Sequence, residues 1–244
     1  MSSLISTLPA SPQTSASRLR ALAMALEEKK RRQSRNRLAV YAPYTKQRAF
    51  HDAGATYRER LLMAANRFGK TQCGAAEMAM HLTGRYPDWW AGKVFTKPIR
   101  AWAAGVTNES TRDVVQEKLL GPPTRREDWG TGFIPGDALG HVSLARGVAD
   151  LVDGCAVKHA TGGWSQLQFK SYERGREKWQ GAALEVLWLD EEPPPPIYFE
   201  GLTRTNETGG IVYMTFTPLL GMSDIVSMFL EEDRAALEAK PAFP

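Results

Sequence analysis

The stretch Ala64-Ala65-Asn66-Arg67-Phe68-Gly69-Lys70-Thr71 decides how this chain is read. It follows Arg60-Leu61-Leu62-Met63, which predicts a buried strand, and precedes Gln72-Cys73-Gly74-Ala75-Ala76-Glu77-Met78-Ala79-Met80, which predicts a helix. Strand, tight loop, Gly-Lys-Thr and helix follow in the order of a phosphate-binding P-loop. A helix start offers unpaired N–H groups and a positive dipole end to an anion. Lys70 is then placed to reach the β/γ-phosphates, and the Thr71 hydroxyl to hold Mg²⁺. Gly69 lets the backbone approach without a Cβ in the way. Ala64 stands where the usual pattern has its first glycine, so an ordinary strand-to-helix turn with a basic residue would also fit these eight positions.

A second stretch narrows the choice. Ala183-Leu184-Glu185-Val186-Leu187-Trp188-Leu189 is a hydrophobic strand ending in Asp190-Glu191-Glu192. Asp190 suits the Mg²⁺ shell. Glu191 suits a group that orients and polarises the water attacking a γ-phosphorus. Pro193 to Pro196 cannot donate to a strand ladder, so the chain must leave the sheet just past the acids. Open α/β sheets bind ligands at such carboxyl ends. Upstream lies Tyr41-Ala42-Pro43-Tyr44-Thr45-Lys46-Gln47-Arg48-Ala49-Phe50. An amide such as that of Gln47 can donate to and accept from the adenine edge at once, and a nearby aromatic can pack on the base.

Composition is consistent with one large α/β domain or two small ones. The 244 residues are 43% hydrophobic and 24% charged, enough for a core and a solvated surface. No run of about 18 apolar residues occurs, which excludes a spanning helix, and the N-terminus lacks the basic-then-apolar pattern of a secretion signal. Cys73 and Cys155 fit no metal spacing and read as a reduced, cytosolic thiol pair. A net charge of +4 and a pI near 9.1 permit contact with nucleic acid.

The first residues, rich in Ser, Thr, Pro and Ala, predict disorder. Leu19, Leu22, Ala23 and Leu26 then recur at helical spacing, followed by a basic run from Lys29 to Arg32 with Arg35 and Arg37 beyond it. Tyr86-Pro87-Asp88-Trp89-Trp90 reads as a loop with exposed aromatics, Ala101 to Val106 as a strand, and Asn108 to about Leu120 as a helix capped by Ser or Thr. Gly121 to Gly140 reads as irregular. Cys155 to His159 and Gln166 to Ser171 read as a hairpin around Thr161-Gly162-Gly163. Ile197 to Leu202 predicts a short helix and Gly210 to Pro218 a further strand. Residues 223–240 predict an amphipathic helix with Ile225, Val226, Phe229 and Leu230 inward.

Taken together, these motifs resemble the ATPase half of tailed-bacteriophage terminase large subunits, the DNA-packaging motors. The residues that carry the resemblance are Pro43 to Phe50, Asn66 to Thr71, Ser171-Tyr172-Glu173, Leu189-Asp190-Glu191-Glu192-Pro193 and Thr215-Phe216-Thr217-Pro218. The fold it implies is an α/β P-loop NTPase of the catalytic-glutamate class, with a mainly parallel central sheet flanked by helices. Residues 1–37 would form an extension, 38–222 the ATPase core, and 223–244 a helix or linker toward a nuclease domain. The implied cofactors are ATP and Mg²⁺. Gln47, Asn66, Arg67, Phe68, Gly69, Lys70 and Thr71 would bind the nucleotide, Thr71 and Asp190 the metal, and Glu191 would be the catalytic glutamate. Arg67 would sense the γ-phosphate, and Thr215 to Thr217 would couple hydrolysis to DNA.

The resemblance also implies an arginine finger from a neighbouring ring subunit. The usual Arg-Gly pair reads Gln180-Gly181 here, which leaves Arg176, Arg174, Arg204 or Lys178 for that role. The implied partners are double-stranded DNA, the portal protein, the small terminase subunit and further copies in a ring, with no membrane, in the cytoplasm of the infected bacterial host. No strand-borne cluster of Asp follows before Pro244, so no nuclease activity is expected of this chain. A helicase-like remodelling ATPase and a nucleotide-gated assembly module remain as alternatives; Glu191 speaks against the second, because a switch needs no polarised water.

Overall fold

The computed structural model describes residues 17–27, 36–218, 221 and 223–230. Its strands are β1 (Glu59–Met63), β2 (Arg100–Gly105), β3 (Leu139–Leu144), β4 (Val152–Lys158), β5 (Trp164–Ser171), β6 (Val186–Asp190) and β7 (Ile211–Phe216). They form one sheet in the order β1-β7-β6-β2-β5-β4-β3. From β1 to β5 along that order all neighbours are parallel. Strands β4 and β3 add to the far edge antiparallel. The expected α/β architecture, a mainly parallel sheet with flanking helices, is the one formed.

The helices are α1 (17–27), α2 (Thr45–Ala53), α3 (Lys70–Thr83), α4 and α5 (Pro195–Asn206), with a last one at 224–230. Helix α4 has three consecutive pieces, Asn108–Ser110, Thr111–Gln116 and Glu117–Leu120, the middle one with π spacing. Thr107 caps it by accepting from Ser110 N.

Alternation along the central strands makes two cores. Val186 and Trp188 of β6, with Ile211 and Tyr213 of β7, pack on the side of α3. Leu187, Leu189, Val212, Met214 and Phe216 pack on the other side against Ile197 and Tyr198 of α5. Side chains on a strand point alternately to its two faces, so strands covered on both sides read as continuous hydrophobic runs. Each such side chain contributes about 1.5–3 kcal/mol on burial, which confines the acids to the strand end.

Helix α3 is buried from Cys73 through Thr83. It is covered on every side because it packs against the sheet and its neighbouring helices, and its buried face includes Glu77 and His81 as well as apolar residues. Its Gly74 has a specific reason: a Cβ there would come 2.5 Å from the Trp188 ring. Tyr213 also donates to Gly74 O at 2.9 Å.

Several expectations are corrected. Strand β1 is an edge strand and only Arg60 in it is buried, because a single neighbour, β7, pairs with it. Tyr86, Trp89 and Trp90 are half-buried, packed on one another and on the α3 core rather than exposed. The Ile197 helix extends to Pro195–Asn206, since proline is tolerated in a first helical turn. Strand β3, within and beyond the stretch read as irregular, was not expected. In the 224–230 helix Ile225 and Val226 are buried, but Leu230 is exposed. The predicted continuation to residue 240 and the basic run over 28–35 lie outside the described residues. Leu19, Leu22 and Leu26 of α1 are exposed.

Candidate functional site

The loop between β1 and α3 carries its strain in two places. Arg67 has φ +66° and Gly69 has φ +72°. The second needs glycine twice over, because an added Cβ would also sit 3.0 Å from the Gln47 amide nitrogen. Asn66, Arg67 and Phe68 are exposed. Lys70 opens α3 and is buried, with its ammonium folded back to donate to Ala65 O at 3.0 Å. The loop therefore encloses a cation at a helix N-terminus, which suits an anion.

Strand β6 delivers Asp190 to the same place from 119 residues away in sequence. Thr71 Oγ1 donates to Asp190 Oδ2 at 3.3 Å. Thr215 Oγ1, on neighbouring β7, donates to Asp190 Oδ1 at 2.7 Å and accepts from Trp188 Nε1 at 2.8 Å. Asp190 is buried, and none of the described residues forms an ion pair with it. Burial pushes its carboxyl up to about 7, and the neighbouring Glu191 charge adds to this. The Thr215 and Thr71 hydroxyls and the Lys70 charge act the other way.

Glu191 stands at φ +67°, a left-handed conformation that is costly for a residue with a side chain. Its N–H is held by Thr215 O at 3.0 Å. The Tyr172 hydroxyl lies 3.0 Å from Asp190 O and 2.9 Å from Glu191 O. Thr215 and Tyr172 thus hold the turn from two sides, so that the carboxylate leaves the sheet edge in one direction. The sequence marks Tyr172 only within the Ser171-Tyr172-Glu173 stretch of the resemblance and Trp188 only as part of a strand, with no role at the acids for either. Their polar tips act on the acids only through tertiary contact.

The remaining expected residues divide. Gln47 lines a cavity of about 540 Å³ with Tyr44, Lys46, Met63, Asn66 and Phe68. Phe50 does not reach it; it is buried in the core, with the Arg60 guanidinium over its ring at 4.8 Å. The aromatic rings that line the cavity are those of Tyr44 and Phe68. Asn66 accepts from Thr217 Oγ1 at 2.9 Å, which joins the loop to the segment after β7. Arg176 is largely exposed and pairs with Glu200 of α5 at 2.9 Å, sharing that carboxylate with Arg204 at 3.1 Å. Glu173 accepts from Asn108 N at 2.7 Å and so ties the Ser171-Tyr172-Glu173 turn to the start of α4.

The donor set fits a hard divalent cation. Thr71 and Asp190 present a hydroxyl and a carboxylate oxygen, the ligand types Mg²⁺ takes, and a buried carboxylate hydrogen-bonded to hydroxyls and without an ion pair among the described residues gains from a cation.

A family model described as "Terminase large subunit, T4likevirus-type, N-terminal" matches residues 61–243. The large terminase subunit of Salmonella phage P22 is 43% identical over 223 residues, covering 84% of this chain and 45% of that protein. The corresponding subunit of Enterobacteria phage LP7 is 28% identical over 222 residues, covering 84% of this chain and 46% of its own. The chain thus spans about half the length of these relatives. Among solved structures, the large terminase of a thermophilic bacteriophage matches with a TM-score of 0.48 at 14% identity, over 83% of this chain and 52% of that one. The same protein in complex with ADP matches with a TM-score of 0.47 at 11% identity, over 82% and 51%.

Proposed function

The chain belongs to the terminase large-subunit family, and on that premise we propose that it is an ATPase that drives double-stranded viral DNA into a procapsid. The observation that carries this reading is the meeting of Thr71 and Asp190 at 3.3 Å, a helix-start hydroxyl against a strand-end carboxylate. Asn66 to Thr71 and Gln47 form the nucleotide site, and Lys70 leaves Ala65 O to meet the β/γ-phosphates. Thr71 and Asp190 hold Mg²⁺, which when bound supplies charge neutralisation at the phosphates. Glu191 orients and polarises the attacking water, and its held left-handed turn is what fixes its direction. Arg67 lies on the loop itself and acts within its own subunit. Arg176, largely exposed, acts on the site of the next subunit in a ring.

Residues 38–222 form the catalytic core, with 1–37 an extension and 223–244 a link toward the rest of the protein. This part cuts no DNA. It works in the cytoplasm of the infected host with the portal and the small terminase subunit. No described helix is long and apolar enough to cross a membrane. DNA is gripped through backbone charge, because packaging must accept any sequence.

The test is the rate of ATP hydrolysis with and without duplex DNA, with strand separation measured alongside. Stimulation by duplex without unwinding is expected, and Lys70→Ala should abolish it. A protein that neither binds Mg-ATP nor hydrolyses it would overturn the reading. For the finger, mixtures of Arg176→Ala and Glu191→Gln proteins should regain activity that neither has alone. No recovery in mixtures that assemble would assign the role to Arg67.

A further inference from the structure

Behind the phosphate loop lies a group of titratable side chains that this chemistry does not use. Glu77 of α3 is buried and meets side chains of two other elements and of its own helix. His51 Nδ1 of α2 is 2.7 Å from Glu77 Oε2. Arg60 of β1 donates to both Glu77 oxygens, and its Nη1 also donates to Phe50 O of α2 at 2.8 Å. His81, one turn along α3, is 3.4 Å from Glu77 Oε1. Burial alone would raise the Glu77 carboxyl, but the Arg60 guanidinium and the two histidines hold it well below the usual range. A carboxylate so enclosed is retained only when its partners are in place. The group therefore fixes α2 against the strand that enters the loop and the helix that leaves it.

Gln47 lies one turn before His51 on α2, four residues apart and hence on the same face. Its amide is already engaged. Oε1 accepts from Tyr44 N at 3.0 Å, and Nε2 donates to Phe68 O at 3.3 Å and Gly69 O at 3.1 Å. Those two carbonyls lie between and at the left-handed residues Arg67 and Gly69. Unfavourable backbone conformations persist only where surrounding groups over-determine them.

Resting on the ATPase reading above, we infer that Gln47 acts on the nucleotide by holding the phosphate loop and not by reading the base edge, and that the buried Glu77–His51–Arg60 group sets it there. The amide nitrogen faces two loop carbonyls and the amide oxygen a backbone N–H, so turning the amide to the adenine edge would break bonds that shape the phosphate site. Gln47 and Glu77 are positioning residues, and the site they shape does not discriminate adenine from guanine through Gln47.

The experiment measures dissociation constants of Mg-ATP and Mg-GTP on the full chain, by competition with a fluorescent non-hydrolysable nucleotide. Gln47→Ala should weaken both by about tenfold, with their ratio unchanged to within about twofold. Gln47→Glu should be at least as severe, because it sets a carboxylate with no proton against two carbonyl oxygens. His51→Gln should weaken both nucleotides too, and the double variant with Gln47→Ala should bind no worse than Gln47→Ala alone. Loss confined to ATP in Gln47→Ala would restore base reading and overturn the inference. A folded His51→Gln protein with normal affinities, or effects that add in the double variant, would overturn the role of the buried group. Should His51→Gln not fold, Arg60→Lys replaces it, and failure of both would show that the group holds the whole domain and not the place of Gln47. If the unmodified chain binds neither nucleotide, the ATPase reading itself falls and takes this inference with it. Normal unmodified binding with unmoved variants sinks only the inference.

Discussion

The phosphate loop and the acid turn face each other across one site, but they are built in opposite ways. The loop exposes Asn66, Arg67 and Phe68 and is held at its rim by Gln47 and Thr217. The acid turn buries Asp190 and surrounds it with Thr71, Thr215 and, at the backbone, Tyr172. An anion can be met by backbone N–H groups that move onto it, so a loop with few anchors suffices. On the proposed reading Asp190 holds a cation and its neighbour is aimed at water, a task that tolerates no shift without loss of rate, and the turn is fixed from several sides. Both regions contain a non-glycine residue at positive φ, Arg67 in one and Glu191 in the other. Only the second is pinned through its own N–H and carbonyl.

If that contrast holds, the largest effect belongs to the fixed side. Glu191→Gln should lower kcat by about 10³-fold while Mg-ATP affinity stays the same, because an amide does not polarise water as a carboxylate does. Single-turnover hydrolysis and equilibrium binding measured together decide it; normal turnover would move the role to Glu192.

Asp190→Ala should come next, with Mg²⁺-dependent nucleotide affinity falling by about 10²-fold and metal-free binding little changed. The same residue gives a pH dependence whose sign follows from its raised carboxyl. In the folded chain it keeps its proton up to about 7, above its ordinary value. Its contribution to stability is therefore fully present below the unfolded pKa and is lost as pH rises through about 7. Binding of the metal needs the carboxylate, so Mg-nucleotide affinity should climb with pH by up to about tenfold per unit until about 7 and then level off. Affinity that is flat from about pH 5.5 to about 7.5 would show either that Asp190 has lost its proton well below about 7 or that it does not bind the metal, and the Asp190→Ala measurement separates the two.

Stability should separate the two regions more finely. Thr215→Val removes the hydroxyl between Asp190 and Trp188, leaves two buried polar atoms short of a partner, and should cost about 1–3 kcal/mol in denaturant unfolding. Asn66→Ala removes an exposed contact to Thr217 and should change stability by less than about 0.5 kcal/mol. Equal costs for the two would erase the distinction between a turn held in the core and an exposed loop held at its rim.

The chain's order of elements could be read because local chemistry writes it. Gly69-Lys70-Thr71 after an apolar run, and Asp190-Glu191 before four prolines, are each complete within a few residues. The burial of Tyr86, Trp89 and Trp90 is not legible in the sequence for the opposite reason. A loop rich in aromatics looks the same in sequence whether it faces water or lies, as here, against the core beside α3. Strand β3 was missed because it is an edge strand with exposed and half-buried residues and no alternation to mark it.

Local pattern reaches the α/β class, the loop, the acids and their order, since periodicity and turn chemistry act over neighbours. Long-range packing is what brings Thr71 to Asp190, holds Glu191 in a left-handed turn between Tyr172 and Thr215, and spends the Gln47 amide on the loop. It alone also joined Glu77 to His51 and Arg60. Those contacts join strands and helices far apart in the chain. Whether a polar group turns to solvent, ligand or protein is set by what packing brings within hydrogen-bond reach, which no local pattern records.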